Sequence, residues 1–414
     1  MQDRTGHTGD SSSNSNNDNK GTNLFQECVS FWGASIVAPT TTNLRILARK
    51  GLLSDEADAP RILTLPVTLD VVMEIFIKNQ DTMLKHFADD NGIPFHIETI
   101  GLYKKHVQNP ENAKLVIFED DCCEEELVYA IIVNAKTKRT YLSFRGSVTK
   151  RDYEADMNVR MREMEDHQGN VVRVHRGFSE YLFGSYDDEA SATKHGGNND
   201  AISLFCKYDE IVQSLLGVCE EYQDHELCVT GHSLGGSLSI LSAHRLAVEK
   251  KLEGKFRGPV LSFGFGSLLV GDLKFLRSVQ SLERDGLLRS INIMNEGDII
   301  PLLPFSSGLA FYRGAGRRVI ISKNKKPKAP IIYFPPEPWS CCPYDRVSIP
   351  GFILPRFFFV LCCRRRFWEN HTVETTTECI FTSKKFLESL SVERLYNENG
   401  TRGLPWKIRS SVVM

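Results

Sequence analysis

Apolar and polar positions follow two different periods along this chain, and the two alternate. In "ELVYAIIVN" (126–134) and "RTYLSFRGS" (139–147) apolar side chains run almost unbroken, which predicts two strands buried on both faces and joined by a polar turn. "YDEIVQSLLGVCEEY" (208–222) instead spaces Ile211, Leu215, Val218 and Tyr222 three to four residues apart, the period of one helix face. The alternation then repeats. "LCV" (227–229) predicts a strand, "LSILSAHRLA" (238–247) a helix and "GPVLSFGFGS" (258–267) a strand. "DLKFLRSVQSLERDGLLR" (272–289) predicts a helix, and "SINIMNEGDIIPLLP" (290–304) a strand ending in a loop. Apolar strands alternating with helices predict an α/β fold with a mostly parallel central sheet flanked by helices, whose ligands gather at the strands' carboxyl ends.

Outside this region the pattern is plainer. Residues 1–23 carry almost no apolar side chains and are expected to form a disordered tail. Residues 24–114 form an N-terminal helical and strand extension, in which "LFQECVSFWGASIVAP" and "VTLDVVMEIFIKN" are expected to be buried or to lie on a membrane surface. Residues 115–392 hold the α/β domain, and 393–414 a C-terminal tail.

Composition excludes some classes. A hydrophobic content of 41% with 25% charged residues is that of a soluble globular chain, and no stretch has the 18 or more apolar residues of a membrane span. Eleven cysteines, six of them in adjacent pairs (122–123, 341–342, 362–363), fit neither a disulfide framework nor a zinc site. With no signal-peptide layout at the N-terminus, a cytoplasmic protein is expected, peripheral on the cytoplasmic face of a membrane if it binds one. Neither a cofactor nor a metal is expected.

Candidate chemistry centres on "GHSLGG" (231–236). The glycines mark a sharp strand-to-helix turn with Ser233 at its apex, the context of a G-x-S-x-G nucleophile elbow. A serine needs a base, and the base an orienting carboxylate, here expected in the order serine, acid, histidine. Only His244 and His371 follow Ser233. His244 lies in the same helix, roughly 16 Å along it, and cannot fold back, so His371 is the base. Among Asp272, Asp285, Asp298 and Asp345, Asp298 alone follows an apolar strand onto the same rim, with Glu296 as the alternative. Asp272 reads as a helix N-cap and Asp285 as solvated surface. The oxyanion hole is expected from the N–H of Leu234 and from that of Ser147, in the loop leaving "YLSF".

These residues resemble the class 3 lipases, the α/β-hydrolases typified by fungal triacylglycerol lipases. The carriers are "SFRGS" (143–147), "VHRGF" (174–178), "VTGHSLGG" (229–236), "SFGFGSLLVGD" (262–272) and "NEGDIIPLLP" (295–304), in family order. The resemblance implies a Ser233, Asp298, His371 triad, an oxyanion hole at Ser147 and Leu234, and hydrolysis of acyl esters in lipids through an acyl-enzyme. A family-like "PRVG" is replaced by "LLVG" (268–271), a change for packing rather than chemistry. Where the family carries a lid, this chain reads "VTKRDYEADMNVRMREMEDHQGNVVR" (148–173), with Tyr153, Met157, Met161 and Met164 as a narrow apolar stripe among charges. Two readings stay open: a working lid, or a helix packed by that stripe on the body. So polar a lid suits mono- or diacylglycerols or phospholipids better than oil droplets.

Between acid and base lies a long insert. Residues 306–368 carry twelve Lys and Arg against Glu337 and Asp345, together with "IIYFPPEPW" and "GFILPRFFFVLCCRRRFW". Basic clusters beside aromatic residues predict peripheral docking on an anionic membrane, with Cys362 and Cys363 as candidate acylation sites. The alternative is a core strand at "FFFVL" and a solvated lysine loop; no nucleic-acid module is present. Rival functions are a small-ester or thioester hydrolase using the same triad, and a catalytically idle scaffold on membranes.

Overall fold

The computed structural model describes residues 22–87, 112–184, 206–304, 312–323, 331–333, 370–396 and 408–409, the segments 331–333 and 408–409 as backbone only. The chain opens on helices α1 (Leu24–Arg49), α2 (Asp58–Leu63), α3 (Leu69–Lys78) and α4 (Gln80–Phe87), with the short strand β1 (Val67–Thr68) between α2 and α3. Strands β2 (Ala113–Glu119), β3 (Tyr129–Asn134) and β4 (Arg139–Phe144) form an antiparallel meander. Then come α5 (Lys150–Met157), the hairpin β5 (Met161–Glu165) and β6 (Val171–His175), α6 (Arg176–Phe183) and α7 (Lys207–Glu221). The alternating core follows: β7 (Glu226–His232), α8 (Leu234–Leu246), β8 (Val260–Phe265), α9 (Leu273–Arg284), β9 (Leu288–Asn295) and β10 (Arg317–Ile321). Strand β11 (Ile331–Tyr333), helices α10 (Val373–Thr382), α11 (Lys384–Glu388) and α12 (Val392–Tyr396), and β12 (Ile408–Arg409) complete the described elements.

One ten-stranded sheet runs β1-β2-β3-β4-β7-β8-β9-β10-β11-β12. Its centre, β4 to β10 in that order, is parallel throughout, and the antiparallel pairs lie toward its edges. This is the α/β-hydrolase arrangement, and it follows from the alternation in the sequence. Because strand side chains point to opposite faces in turn, Tyr129, Ile131 and Val133 join one core while Ala130 and Ile132 join the other. Both faces are covered by helices, so both residue sets must be apolar.

The described residues of the N-terminal segment share one core with the sheet. Helix α1 lies across the sheet on the same face as α10, α11 and α12. Phe31 stacks on Phe263 with ring centroids 4.1 Å apart, and the Arg139 guanidinium grips the Glu27 carboxylate through two hydrogen bonds of 2.6 and 2.9 Å. Burying an aromatic ring such as Phe31 contributes roughly 1.5–3 kcal/mol, enough to seat the helix firmly. The alternative of a membrane-surface segment for residues 24–39 is thereby corrected: 21 of the helix's 26 residues are buried in protein.

Two local expectations also change. The helix expected over 272–289 stops at Arg284, because Gly286 takes φ +74° and the chain re-enters the sheet at Leu288. The stripe over 153–164 is not one helix face. Helix α5 ends at Met157, Met161 and Met164 lie on β5, and Gly169 (φ +77°) turns the hairpin into the β-branched run of β6. Tyr153 and Met157 remain 41% and 54% exposed, whereas Met164 packs, partly buried, against the core, so the stripe does not pack on the body as a unit. Most of the basic-aromatic insert, including Asp345, Cys362, Cys363 and "FFFVL", lies outside the described residues. Of its basic side chains that are described, Arg318 is buried and Arg317 lies over the Tyr396 ring at 4.9 Å.

Candidate active site

The turn between β7 and α8 is as tight as its glycines suggest. Ser233 takes φ +58° and ψ −124°, a region where side-chain-bearing residues are strained. Its N–H donates to the Phe265 carbonyl at 2.9 Å, holding the strained residue against the neighbouring strand. A Cβ on Gly231 would strike the backbone of Gly235, and one on Gly235 would strike the Phe144 carbonyl. Only hydrogen atoms fit at both places, so strand and helix can meet at this sharp angle.

The two distant partners arrive from the sheet's far side. Asp298 follows β9, and His371 sits two residues before α10. His371 Nδ1 lies 2.8 Å from Asp298 Oδ2, and its Nε2 lies 2.9 Å from Ser233 Oγ. Both residues are buried, at 2% and 5% exposed. An ionised carboxylate only accepts, so Nδ1 carries the proton and donates it to Asp298, leaving the Nε2 lone pair to accept from the Ser233 hydroxyl. Asp298 Oδ1 accepts from the Ile300 N–H at 3.0 Å, which fixes the carboxylate's rotation. The alternative acid, Glu296, is exposed and accepts from the Ser322 hydroxyl at 2.6 Å instead. His244 is fully buried and bonded to Ser278 at 2.8 Å, away from the elbow.

The loop after β4 closes the other side. Gly146 lies against the elbow, its Cβ direction 2.9 Å from the His232 carbonyl and 3.7 Å from Ser233 Cβ. The next residue, Ser147, donates its hydroxyl to Asp156 Oδ2 at 2.6 Å. Asp152 organises the rest of the loop: its carboxylate accepts from the N–H groups of Val148 (2.9 Å) and Thr149 (2.8 Å), Arg145 Nη2 (3.0 Å) and the Tyr181 hydroxyl (2.6 Å). Leu234 begins α8, where first-turn N–H groups have no carbonyl inside the helix to bond. Burial pushes the Asp156 carboxyl up to about 7, against the lowering effect of the Ser147 hydrogen bond.

Several side chains that hold this geometry have no role that the sequence alone assigns. Asn295 Nδ2 donates to the Asn370 carbonyl and to Thr376 Oγ1, both at 2.8 Å, tying the histidine's loop to β9. Asn370 answers with a 3.2 Å bond to the Gly297 carbonyl. His232 packs its ring beside that of His371, with centroids 4.8 Å apart and planes 31° apart. Their partners sit 73 to 139 residues away, so only the aspartates of "TKRDYEADM", polar on a helix beside the loop, left a signal in the sequence.

Among the described residues no three potential metal ligands cluster, no helix is long and apolar enough to cross a membrane, and no two cysteines form a disulfide.

Comparison with known proteins places the chain. Residues 141–308 match the family model described as lipase (class 3). Phospholipase A1-II 5 of Oryza sativa subsp. indica is 31% identical over 196 residues, 45% of this chain and 39% of that protein. Phospholipase A1-IIgamma of Arabidopsis thaliana is 30% identical over 173 residues, 39% of this chain and 38% of that one. The chain thus spans less than half the length of these two relatives. A Rhizomucor miehei lipase in complex with its propeptide is similar at 23% identity, covering 51% of this chain and 56% of that one, with a TM-score of 0.37. The matched segment contains Ser147, Ser233, Leu234 and Asp298 and stops short of His371. The similarity to the class 3 lipase family thus extends over residues 141–308 of the chain.

Proposed function

We propose that this protein is a serine hydrolase that cleaves acyl esters of lipids. Ser233 attacks the ester carbonyl while His371 takes its proton, and Asp298 orients and stabilises the resulting imidazolium. The backbone N–H groups of Ser147 and Leu234 receive the oxyanion. His371 then protonates the leaving alcohol, and water, activated by the same imidazole, releases the fatty acid from the acyl-enzyme. The observation that carries this reading is the continuous hydrogen-bond path from Ser233 Oγ through both nitrogens of His371 to Asp298 Oδ2.

Membrane phospholipids and partial acylglycerols are the substrate class. The relatives named phospholipase A1 support the first, and the mainly polar α5 beside the oxyanion loop supports an ester at a hydrated interface. Val148, Tyr153 and Met157, exposed on that same rim, offer apolar contact to a lipid phase. Peripheral contact through residues 306–368 belongs to the same proposal.

A fluorophosphonate probe tests the chemistry. Labelling of wild type and its loss in Ser233→Ala support the enzyme; a folded wild-type chain that never labels supports the idle scaffold. Turnover of long-chain esters on vesicles, set beside short-chain and thioester monomers, separates a lipid hydrolase from a small-ester one.

A further inference from the structure

Two hydrogen bonds define an axis through the His371 ring, yet a ring held only along an axis can still tip about it. The structure supplies what prevents this. The His232 ring packs beside His371, 4.8 Å between centroids, and Trp32 of α1 meets His232 edge-on at 5.6 Å. Trp32 is itself anchored, its Nε1 donating to Thr377 Oγ1 at 2.9 Å and its ring lying 4.9 Å from Phe265. Thr377 belongs to α10, the helix that His371 introduces, so the contacts close a circuit: base, His232, Trp32, Thr377, base. Against Cε1 and Nδ1 of His371 runs the backbone of Gly266, leaving no room even for a Cβ.

We propose that His232, backed by Trp32, is a positioning residue that holds the His371 imidazole in the plane addressing Ser233 and Asp298 together. The proposal rests on the reading of those three residues as a triad. His232 immediately precedes Ser233, so the same turn that presents the nucleophile also presents the wall for its base. The N-terminal helix, which lies outside the matched family segment, thereby becomes part of the catalytic unit. A base free to tip after accepting the proton would not return it to the leaving alcohol, so the wall serves both halves of the acylation step. Misplacement by about 1 Å costs on the order of 100-fold in rate.

The test compares His232→Ala, which removes the wall, with His232→Phe, which restores a flat ring without ring nitrogens. Three quantities are measured on the full chain: the fluorophosphonate labelling rate, kcat and KM on one ester, and the far-downfield proton resonance of His371 Nδ1–H bonded to Asp298. His232→Ala should label and turn over on the order of 10-fold to 100-fold more slowly with KM little changed, and should lose the resonance. His232→Phe should recover most of the rate and the resonance. If His232→Ala does not fold, His232→Asn takes its place. Wild-type labelling and an intact resonance in the ringless variant would overturn the proposal, and so would a His232→Phe variant as slow as His232→Ala. A wild-type chain with neither labelling nor resonance would instead sink the triad reading itself.

Discussion

A Cβ at Gly266 would stand 2.8 Å from Cε1 of His371, closer than real Cβ atoms approach, and a tight 3.1 Å from its Nδ1. Gly266 also takes φ +61°, where any other residue is strained. Gly266→Ala must therefore push the imidazole off its path to Ser233. The expected outcome is a fall in kcat on the order of 100-fold. Kinetics on the purified, folded variant check this; undiminished turnover would mean the ring yields without penalty.

Asp298 and Glu296 make opposite predictions. Of these two carboxylates, Asp298 is the one hydrogen-bonded to the imidazole, so Asp298→Asn should leave His371 in the wrong tautomer and lower kcat by about 10⁴. Glu296→Gln should leave kcat nearly unchanged, because that carboxylate is exposed and bonded to Ser322. The paired kinetics settle the assignment, and a reversed order would transfer the role to Glu296.

The Ser147–Asp156 bond joins the loop after β4 to α5. Asp156→Asn is expected to slow turnover, since a weaker acceptor lets the Ser147 loop move relative to the developing charge. Its effect on stability should have the other sign. The folded carboxyl holds its proton up to about pH 7 and the unfolded one only to about 4, so this group makes stability decline as pH rises between the two. Urea unfolding of wild type and Asp156→Asn at pH 5 and pH 8 reads this directly: the variant should gain most at pH 8.

Two buried histidines act in the opposite direction. Burial holds His175 and His244 down at about 3, and both are fully buried. The unfolded chain protonates them near 6.5, so stability falls as pH drops below that value. The slope is about 1.4 kcal/mol per pH unit for each. Two such slopes outweigh the single opposing one of Asp156, and these three groups together predict net acid destabilisation below pH 6.5. His244→Gln should flatten the dependence by about one such slope, seen in denaturant midpoints across pH 4–7. An unchanged slope would mean that His244 takes up no proton on unfolding.

The catalytic candidates were legible for different reasons. Ser233 was announced by its own neighbours, because a strained turn between strand and helix demands Gly231 and Gly235 within a few residues. His371 emerged from counting, since only one histidine after the elbow lies beyond its helix. Asp298 emerged from strand polarity, which places the end of β9 on the rim where Ser233 sits. The helix expected across Tyr153 to Met164 failed because four well-spaced apolar residues fit a helical period by coincidence, while Gly169 and the valines of β6 favour a hairpin.

Short-range sterics and the period of apolar positions are properties of neighbouring residues, so the sequence alone determined the alternating strands and helices, the elbow and the identity of its serine. Which side chains would stand behind the base was decided only when the sheet brought α1, β8 and α10 together. Trp32, His232, Gly266 and Asn295 act through contacts across rings and backbones from separate elements. No local pattern encodes such contacts, because their energies exist only once those surfaces have met.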